Sequence, residues 1–157
     1  MQVIIQSANT KFEQGFNCAQ SVFASFAPSM GLSEALALKI ATPFGGGIRR
    51  MGEVCGAVSG AMMVIGLKFG NLAPDNSAGK ELNNQLAQDF AERFTQQHGT
   101  ILCRQLLNLD ISNPEELELA RQAGLFSKRC PLFVQSAAEI LTQLLTERSI
   151  ANDQAQN

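Results

Sequence analysis

The sequence predicts an all-α fold, a single-domain helical bundle of about six to eight helices around a buried, glycine-rich central helix. Apolar residues recur at helical spacing along most of the chain, and no run alternates with strand period for long. Residues 54–67 form an apolar stretch between Glu53 and Lys68. At about 14 residues, this stretch is shorter than the roughly 20 that span a bilayer, so it predicts a buried core helix and no membrane insertion.

Length and composition limit what the chain can do. With 157 residues, 45% of them hydrophobic, we expect one domain over residues 1–148 and a polar C-terminal tail at 149–157 that frays. The net charge of -2 and the pI near 5.4 argue against a nucleic acid or an anionic membrane as partner. No signal peptide is visible, so we expect a cytoplasmic protein whose thiols are reduced.

The first two helices have clear boundary signals. Residues 3–14 are predicted to form a helix that stops at Gly15. Asn17 is a good N-cap for the next helix, and Gln20 stands three residues later, as a capping box requires. This pattern places Cys18 in the first helical turn.

The middle of the chain contains the predicted central helix. Ser33 opens a third helix, and Pro43 limits it. The central helix follows at about 53–68, with Cys55 at its start. The sequence also spaces three glycines four residues apart, which would place them on one side of a helix and let another backbone come close: Gly52, Gly56 and Gly60.

A long amphipathic helix comes next. Its apolar residues recur every four positions at Leu82, Leu86, Phe90 and Phe94, and Gly99 ends it. Thr100 is expected to cap a short helix that runs through Leu107, which places Cys103 in a first turn.

Two further helices complete the prediction. Asn113 caps a helix with Pro114 in its first position, and Gly124 ends it. The last helix is expected to begin around Cys130 and Pro131, with Cys130 at the cap and Pro131 in the first helical position.

The four cysteines are thus each predicted at or near the start of a helix. Helix N-termini stabilise a thiolate, which is the form that nucleophilic, redox and metal-binding cysteines use. No Cys-x-x-Cys occurs, so any shared site must be assembled by tertiary folding. Spacing alone leaves two interpretations open: a shared redox or metal site, or ordinary buried cysteines that act as small hydrophobes. The four are Cys18, Cys55, Cys103 and Cys130.

Several of these motifs occur in one order along the chain. They are Asn17-Cys18-Ala19-Gln20, Gly45-Gly46-Gly47, Cys55-Gly56-Ala57-Val58-Ser59-Gly60, Cys103-Arg104-x-Leu106-Leu107 and Cys130-Pro131. In this combination, over about residues 12–145, the chain resembles the C_GCAxxG_C_C family of redox-active proteins. The resemblance implies a small all-helical protein with a redox function. A related domain is associated with an iron–sulfur centre, so the resemblance also suggests metal or cluster ligation.

The sequence contains two further candidate sites, and the first is the glycine loop. Gly45, Gly46 and Gly47, followed by Arg49 and Arg50, could cradle a small anion through backbone N–H groups. The alternative is a turn that lets the helix of Cys55 approach its neighbours.

The only histidine, His98, lies at the end of the amphipathic helix. It suits a C-terminal capping role or a minor role as metal ligand near Cys103.

The sequence therefore supports two main hypotheses. In the first, the four cysteines form one site for electron transfer or thiol redox chemistry, as ligands of zinc or an iron–sulfur cluster or as dithiol switches. Cys18 and Cys55 are then the candidate nucleophiles. In the second, the chain is a binding or sensing module for a metal or small anion at the glycine loop and the helix N-termini. A third reading is a scaffold whose cysteines are core residues only. No enzyme class follows, the redox partner or small-molecule substrate is open, and the apolar glycine-rich face suits a homodimer contact as well as an internal one.

Overall fold

The computed structural model describes residues 2–155 and contains eight α-helices in that part of the chain, which confirms the all-α prediction. Two 3₁₀ turns, Ala27–Met30 and Thr42–Phe44, follow the second and third helices. The helices are α1 Gln2–Glu13, α2 Cys18–Phe26, α3 Glu34–Ala41, α4 Gly56–Phe69, α5 Ser77–His98, α6 Cys103–Leu107, α7 Pro114–Gln122 and α8 Leu125–Ala155.

The capping box at the start of α2 is confirmed. The side chain of Asn17 accepts a hydrogen bond from the Gln20 N–H at 3.0 Å, and the Gln20 side chain accepts one from the Asn17 N–H at 3.1 Å. Both side chains also donate to the end of α3: Asn17 to the carbonyl of Thr42, and Gln20 to that of Leu38. The cap therefore fixes the position of Cys18 and joins two helices.

The caps predicted for α3 and α7 are also confirmed. Ser33 accepts from the Leu36 N–H at 3.3 Å, and Asn113 accepts from the N–H groups of Glu115 and Glu116 with Pro114 in the first helical position. Each cap satisfies N–H groups that a helix start leaves without a backbone partner.

The predicted start of the last helix is wrong. The helix α8 begins at Leu125, so Cys130 lies in its second turn and Pro131 lies inside the helix. Leu125 and Phe126 pack against the core and fix this earlier start. Pro131 removes the hydrogen bond to the carbonyl of Ser127, but Ser127 is exposed, so solvent can satisfy that carbonyl.

Two further details differ from the sequence prediction. Leu102 is the N-cap of α6 and makes no side-chain cap bond, while the Thr100 hydroxyl accepts from the Leu102 N–H outside the helix. Gly52 lies before α4 with a φ of 73°, so only two of the three predicted glycines, Gly56 and Gly60, are on the helix. Gly52 precedes α4 because a tight loop occupies the residues before Cys55.

Gly56 and Gly60 let α4 pack directly on the backbone of α2. A Cβ on Gly60 would lie 2.7 Å from the Ala19 carbonyl oxygen, and one on Gly56 would lie 3.0 Å from the Ala19 nitrogen. The first ten residues of α4 are buried or half-buried, as expected for a core helix. That the domain is centred on α4 alone stays a prediction, because α4 packs against α2, α5 and α8 while α2 packs against α1, α3, α4 and α8.

The end of the chain continues α8. The helix runs through residues 149–155 of the predicted tail, and residues 156 and 157 lie outside the described part of the chain. Within residues 2–155, no helix combines the length and the apolar character that crossing a bilayer requires.

A matched pair of glycine substitutions in α4 tests the close helix contact. Gly60→Ala should lower the free energy of unfolding by about 1–3 kcal/mol, because its Cβ would meet the Ala19 backbone. Gly66→Ala should raise it by about 0.5–1 kcal/mol, because Gly66 has open space around it and alanine is the better helix former. Urea denaturation measures both values, and equal effects of the two variants would contradict the proposed contact.

Candidate functional site

All four predicted cysteines line one cavity of about 610 Å³. None of them forms a disulfide, and each is less than 10% exposed. We call this space the cysteine cavity. Besides the cysteines, its lining includes the apolar residues Phe12, Leu106, Leu107, Ile111, Leu117, Phe126 and Phe133, and the cationic residues Arg49, Arg50 and Arg121.

Cys18 and Cys130 lie close together in the cavity. Cys18 is the first residue of α2, as predicted, and Cys130 faces it from α8 with the two thiols within hydrogen-bond reach. The hydrogen bond from the Cys18 thiol and the charge of Arg129 lower the pKa of Cys130. The same bond, together with burial, raises the pKa of Cys18. These shifts favour the thiolate at Cys130 and the protonated thiol at Cys18.

A short antiparallel bridge holds Cys55 beside Cys103. Val54 pairs with Leu102, the Cys55 N–H donates to the Ile101 carbonyl at 2.8 Å, and the Cys103 N–H donates to the Glu53 carbonyl at 2.7 Å. Two segments far apart in sequence are thereby fixed side by side, and one cysteine of each segment reaches the cavity.

Arg104 strengthens this bridge. Its guanidinium donates to the carbonyls of Met51 and Gly52 and forms an ion pair with the Glu53 carboxylate. Because the Arg104 N–H also donates to the Gly52 carbonyl at 3.0 Å, four contacts from one residue hold the segment that precedes Cys55.

At Cys55, burial changes the pKa of the thiol more than the helix N-terminus does. Cys55 is the N-cap of α4, as expected, and the N–H groups of Ala57 and Val58 lower the pKa of its thiol. Burial nevertheless raises that pKa to about 11, because the penalty for removing a thiolate from water exceeds the stabilisation that the helix N-terminus gives it. Burial likewise raises the pKa of Cys103 to about 12. Both are protonated thiols at neutral pH.

The glycine loop forms a left-handed turn. Five consecutive residues, 46–50, have φ values between 48° and 66°, and three of them are not glycine: Ile48, Arg49 and Arg50. Such a conformation costs roughly 1–2 kcal/mol per non-glycine residue. Backbone hydrogen bonds hold it, among them Arg49 N–H to the Pro43 carbonyl at 2.8 Å and Glu53 N–H to the Gly47 carbonyl at 3.0 Å.

Gly47 shows why this loop needs a residue without a side chain. A Cβ there would lie 2.7 Å from the Cβ of Cys103 and 2.6 Å from the Glu53 nitrogen. The N–H groups of residues 48–53 all donate to backbone carbonyls of the loop or of the turn before it. They are therefore not free for an anion. Gly45 and Gly46 line the cavity, and an anion site on the amides of Gly45, Gly46 and Gly47 stays a prediction.

The four thiols are suitable metal ligands, but their arrangement in the cavity does not form a metal site. Four thiols are the usual ligands of zinc and iron–sulfur clusters. In the described part of the chain, however, no three histidine, cysteine or acidic side chains are placed to hold a metal ion. As arranged, Cys18, Cys55, Cys103 and Cys130 line a cavity and do not converge on one point.

His98 is half-buried and packs against aromatic residues of the core beside the cavity. Its ring contacts Phe94 and Phe133 at centroid distances of 4.6 and 5.1 Å, and its buried Nε2 atom has no hydrogen-bond partner among the described residues. Burial lowers the pKa of this imidazole, which favours its neutral form. Phe133 lies between His98 and the cavity that it lines.

Three features of the site were not predicted from the sequence: the bridge, the left-handed turn and the place of Arg121 in the cavity lining. A bridge of one residue pair leaves no periodic pattern to read. The turn had one signal, three successive glycines before a Glu-x-Cys segment, but nothing local predicts that Ile48, Arg49 and Arg50 continue its conformation.

The raised pKa values of Cys55 and Cys103 predict a loss of stability in alkali. The unfolded chain releases these two protons near the ordinary pKa of 9.0, whereas the folded chain keeps them to about 11 and about 12. The contribution is complete below pH 9 and falls by about 1.4 kcal/mol per pH unit for each thiol above it. Urea denaturation with reductant measures the free energy of unfolding between pH 8 and about 10.5. This free energy should fall less steeply with pH in Cys55→Ala/Cys103→Ala than in the wild type. Parallel profiles would contradict the assignment.

Comparison with known proteins identifies the family. Residues 16–144 match the family model described as "Putative redox-active protein (C_GCAxxG_C_C)", and this range includes all four cysteines of the cavity. No curated protein and no solved structure matches the chain. Since the matched range covers most of the 157 residues, the chain belongs to the C_GCAxxG_C_C family.

Proposed function

We propose that this protein carries out thiol–disulfide exchange, with Cys18 and Cys130 as a reversible dithiol/disulfide pair inside the cysteine cavity. The observation that carries the proposal is the contact between the two thiols, which come from α2 and α8 and lie within hydrogen-bond reach. Membership of a redox-active family supports the same reaction class.

Cys130 is the attacking thiol in this scheme. Its thiolate attacks one sulfur of a small disulfide, forms a mixed disulfide and releases the first thiolate of the substrate. The Cys18 thiol loses its proton and attacks the Cys130 sulfur, which expels the second thiolate. The substrate is reduced by two electrons, the cysteine pair is oxidised to a disulfide, and the proton of Cys18 passes to solvent or to the released thiolate.

The surroundings of the pair favour this order of events. Nucleophilic attack needs a thiolate, and Cys130 is the cysteine whose pKa is lowered, by the Cys18 thiol and by Arg129. Burial raises the pKa values of Cys55 and Cys103, so these two serve as protonated neighbours. The earlier expectation of Cys18 and Cys55 as nucleophiles is therefore replaced by a pair in which Cys130 attacks and Cys18 resolves.

Disulfide mapping tests the proposal. Treatment with a small disulfide should reduce the four free thiols to two and link the peptides of Cys18 and Cys130. Cys18→Ser should stop the reaction at a mixed disulfide on Cys130, and Cys130→Ser should remove the fast reaction. Cys55→Ser is the matched control, since it lies in the same cavity and should still form the Cys18–Cys130 bond.

A predominant bond between any other two cysteines, or no bond in the wild type, would overturn the assignment. Mass spectrometry of unreduced peptides distinguishes these outcomes directly.

A further inference from the structure

We propose that the cysteine cavity selects anionic small molecules, so that the disulfide or thiol it exchanges with carries carboxylate groups held by Arg49, Arg50 and Arg121. The inference rests on the proposed thiol–disulfide exchange and adds the charge of its substrate.

The charge of the cavity lining is uniform. Three arginines line it, and among the described residues no aspartate, glutamate or lysine does. This distribution contrasts with the chain as a whole, whose net charge is -2. An arginine guanidinium binds a carboxylate through two parallel hydrogen bonds, and three such groups at one cavity favour an anionic ligand.

These arginines have little else to bind within the described residues. Arg49 and Arg50 are exposed and form no ion pair or side-chain hydrogen bond there, and Arg121 contacts only Glu118, at 3.7 Å. Arg93 and Arg104 differ, since each of them has short contacts to carboxylates of its neighbours. Arg49 and Arg50 are thus free to bind a ligand, and Arg121 is held only by one long ion pair.

Two separate elements bring these cations together. Arg49 and Arg50 belong to the left-handed turn, where their φ values are 48° and 62°, and Arg121 belongs to α7. A strained backbone conformation persists only where the surrounding contacts hold it, and such strain is concentrated at functional sites. The turn that places Gly47 against Cys103 therefore also brings two arginines to the same cavity.

The size of the cavity fits a small molecule. Its volume of about 610 Å³ lies within the range of small-ligand sites, which is about 300–1,000 Å³. Its apolar lining suits the carbon skeleton of a ligand, while the thiols and the guanidinium groups supply the reactive and the charged contacts.

Two aromatic disulfides of different charge test the selection: 5,5′-dithiobis(2-nitrobenzoate), with two carboxylates, and neutral 2,2′-dithiodipyridine. Stopped-flow absorbance gives the second-order rate constant of each probe with the reduced protein. Arg49→Gln/Arg50→Gln and Arg121→Gln should each lower the rate of the carboxylate probe, by about tenfold for the double variant at low salt. The rate of the neutral probe should change by less than about twofold.

Arg148→Gln is the matched control. It removes the same charge from α8, but Arg148 lies 18 residues after Cys130, or about 27 Å along the helix, which exceeds the screening length of about 10 Å at 0.1 M salt. Both of its rates should equal those of the wild type.

The outcomes separate the two proposals. Equal rates for wild type and cavity variants, or equal losses with both probes, would overturn the selection of anions and leave thiol exchange in place. A wild-type protein whose thiols react with neither probe would overturn the proposed function itself and this inference with it.

Discussion

The close contact between α2 and α4 is the constraint on which the cysteine cavity depends. Gly60 and Gly56 leave α4 without side chains where the backbone of Ala19 lies, and a Cβ on Gly56 would be 3.2 Å from the Cβ of Cys18. The contact thereby places the first residue of α2 against the first turn of α4, next to Cys55. A larger residue would separate the helices and the two cysteines, because interiors packed this tightly do not absorb an added methyl group without a shift.

The other two cysteines reach the cavity by different means. Cys103 is held by backbone pairing with the segment before Cys55 and by the contacts of Arg104, whereas Cys130 is carried by α8. The shared space gives the thiols unequal properties. Burial raises the pKa values of Cys55 and Cys103, while a hydrogen bond and a nearby cation favour the thiolate at Cys130. In the proposed function, these differences divide the four cysteines into one reactive pair and two protonated neighbours.

The sequence predicted the features that local chemistry determines. The box of Asn17 and Gln20 was readable because each partner lies within one turn of the other, and so were the caps of α3 and α7. Proline gave a false signal at Cys130, because tertiary packing of Leu125 and Phe126 started the helix earlier and an exposed carbonyl tolerated the lost bond. The contact of Cys18 with Cys130 could not be predicted, because 111 residues separate them and local sequence does not determine which helices pack together.

The measurement that tests the central claim most directly is the thiol, metal and acid-labile sulfide content of protein purified without oxygen, before and after mild oxidation. Our account predicts four titratable thiols that fall to two on oxidation, with no iron and sulfide bound in proportion to the chain. Stoichiometric iron and sulfide, with the thiols released only when the metal is removed, would contradict it. The four cysteines would then be metal ligands and not a dithiol pair.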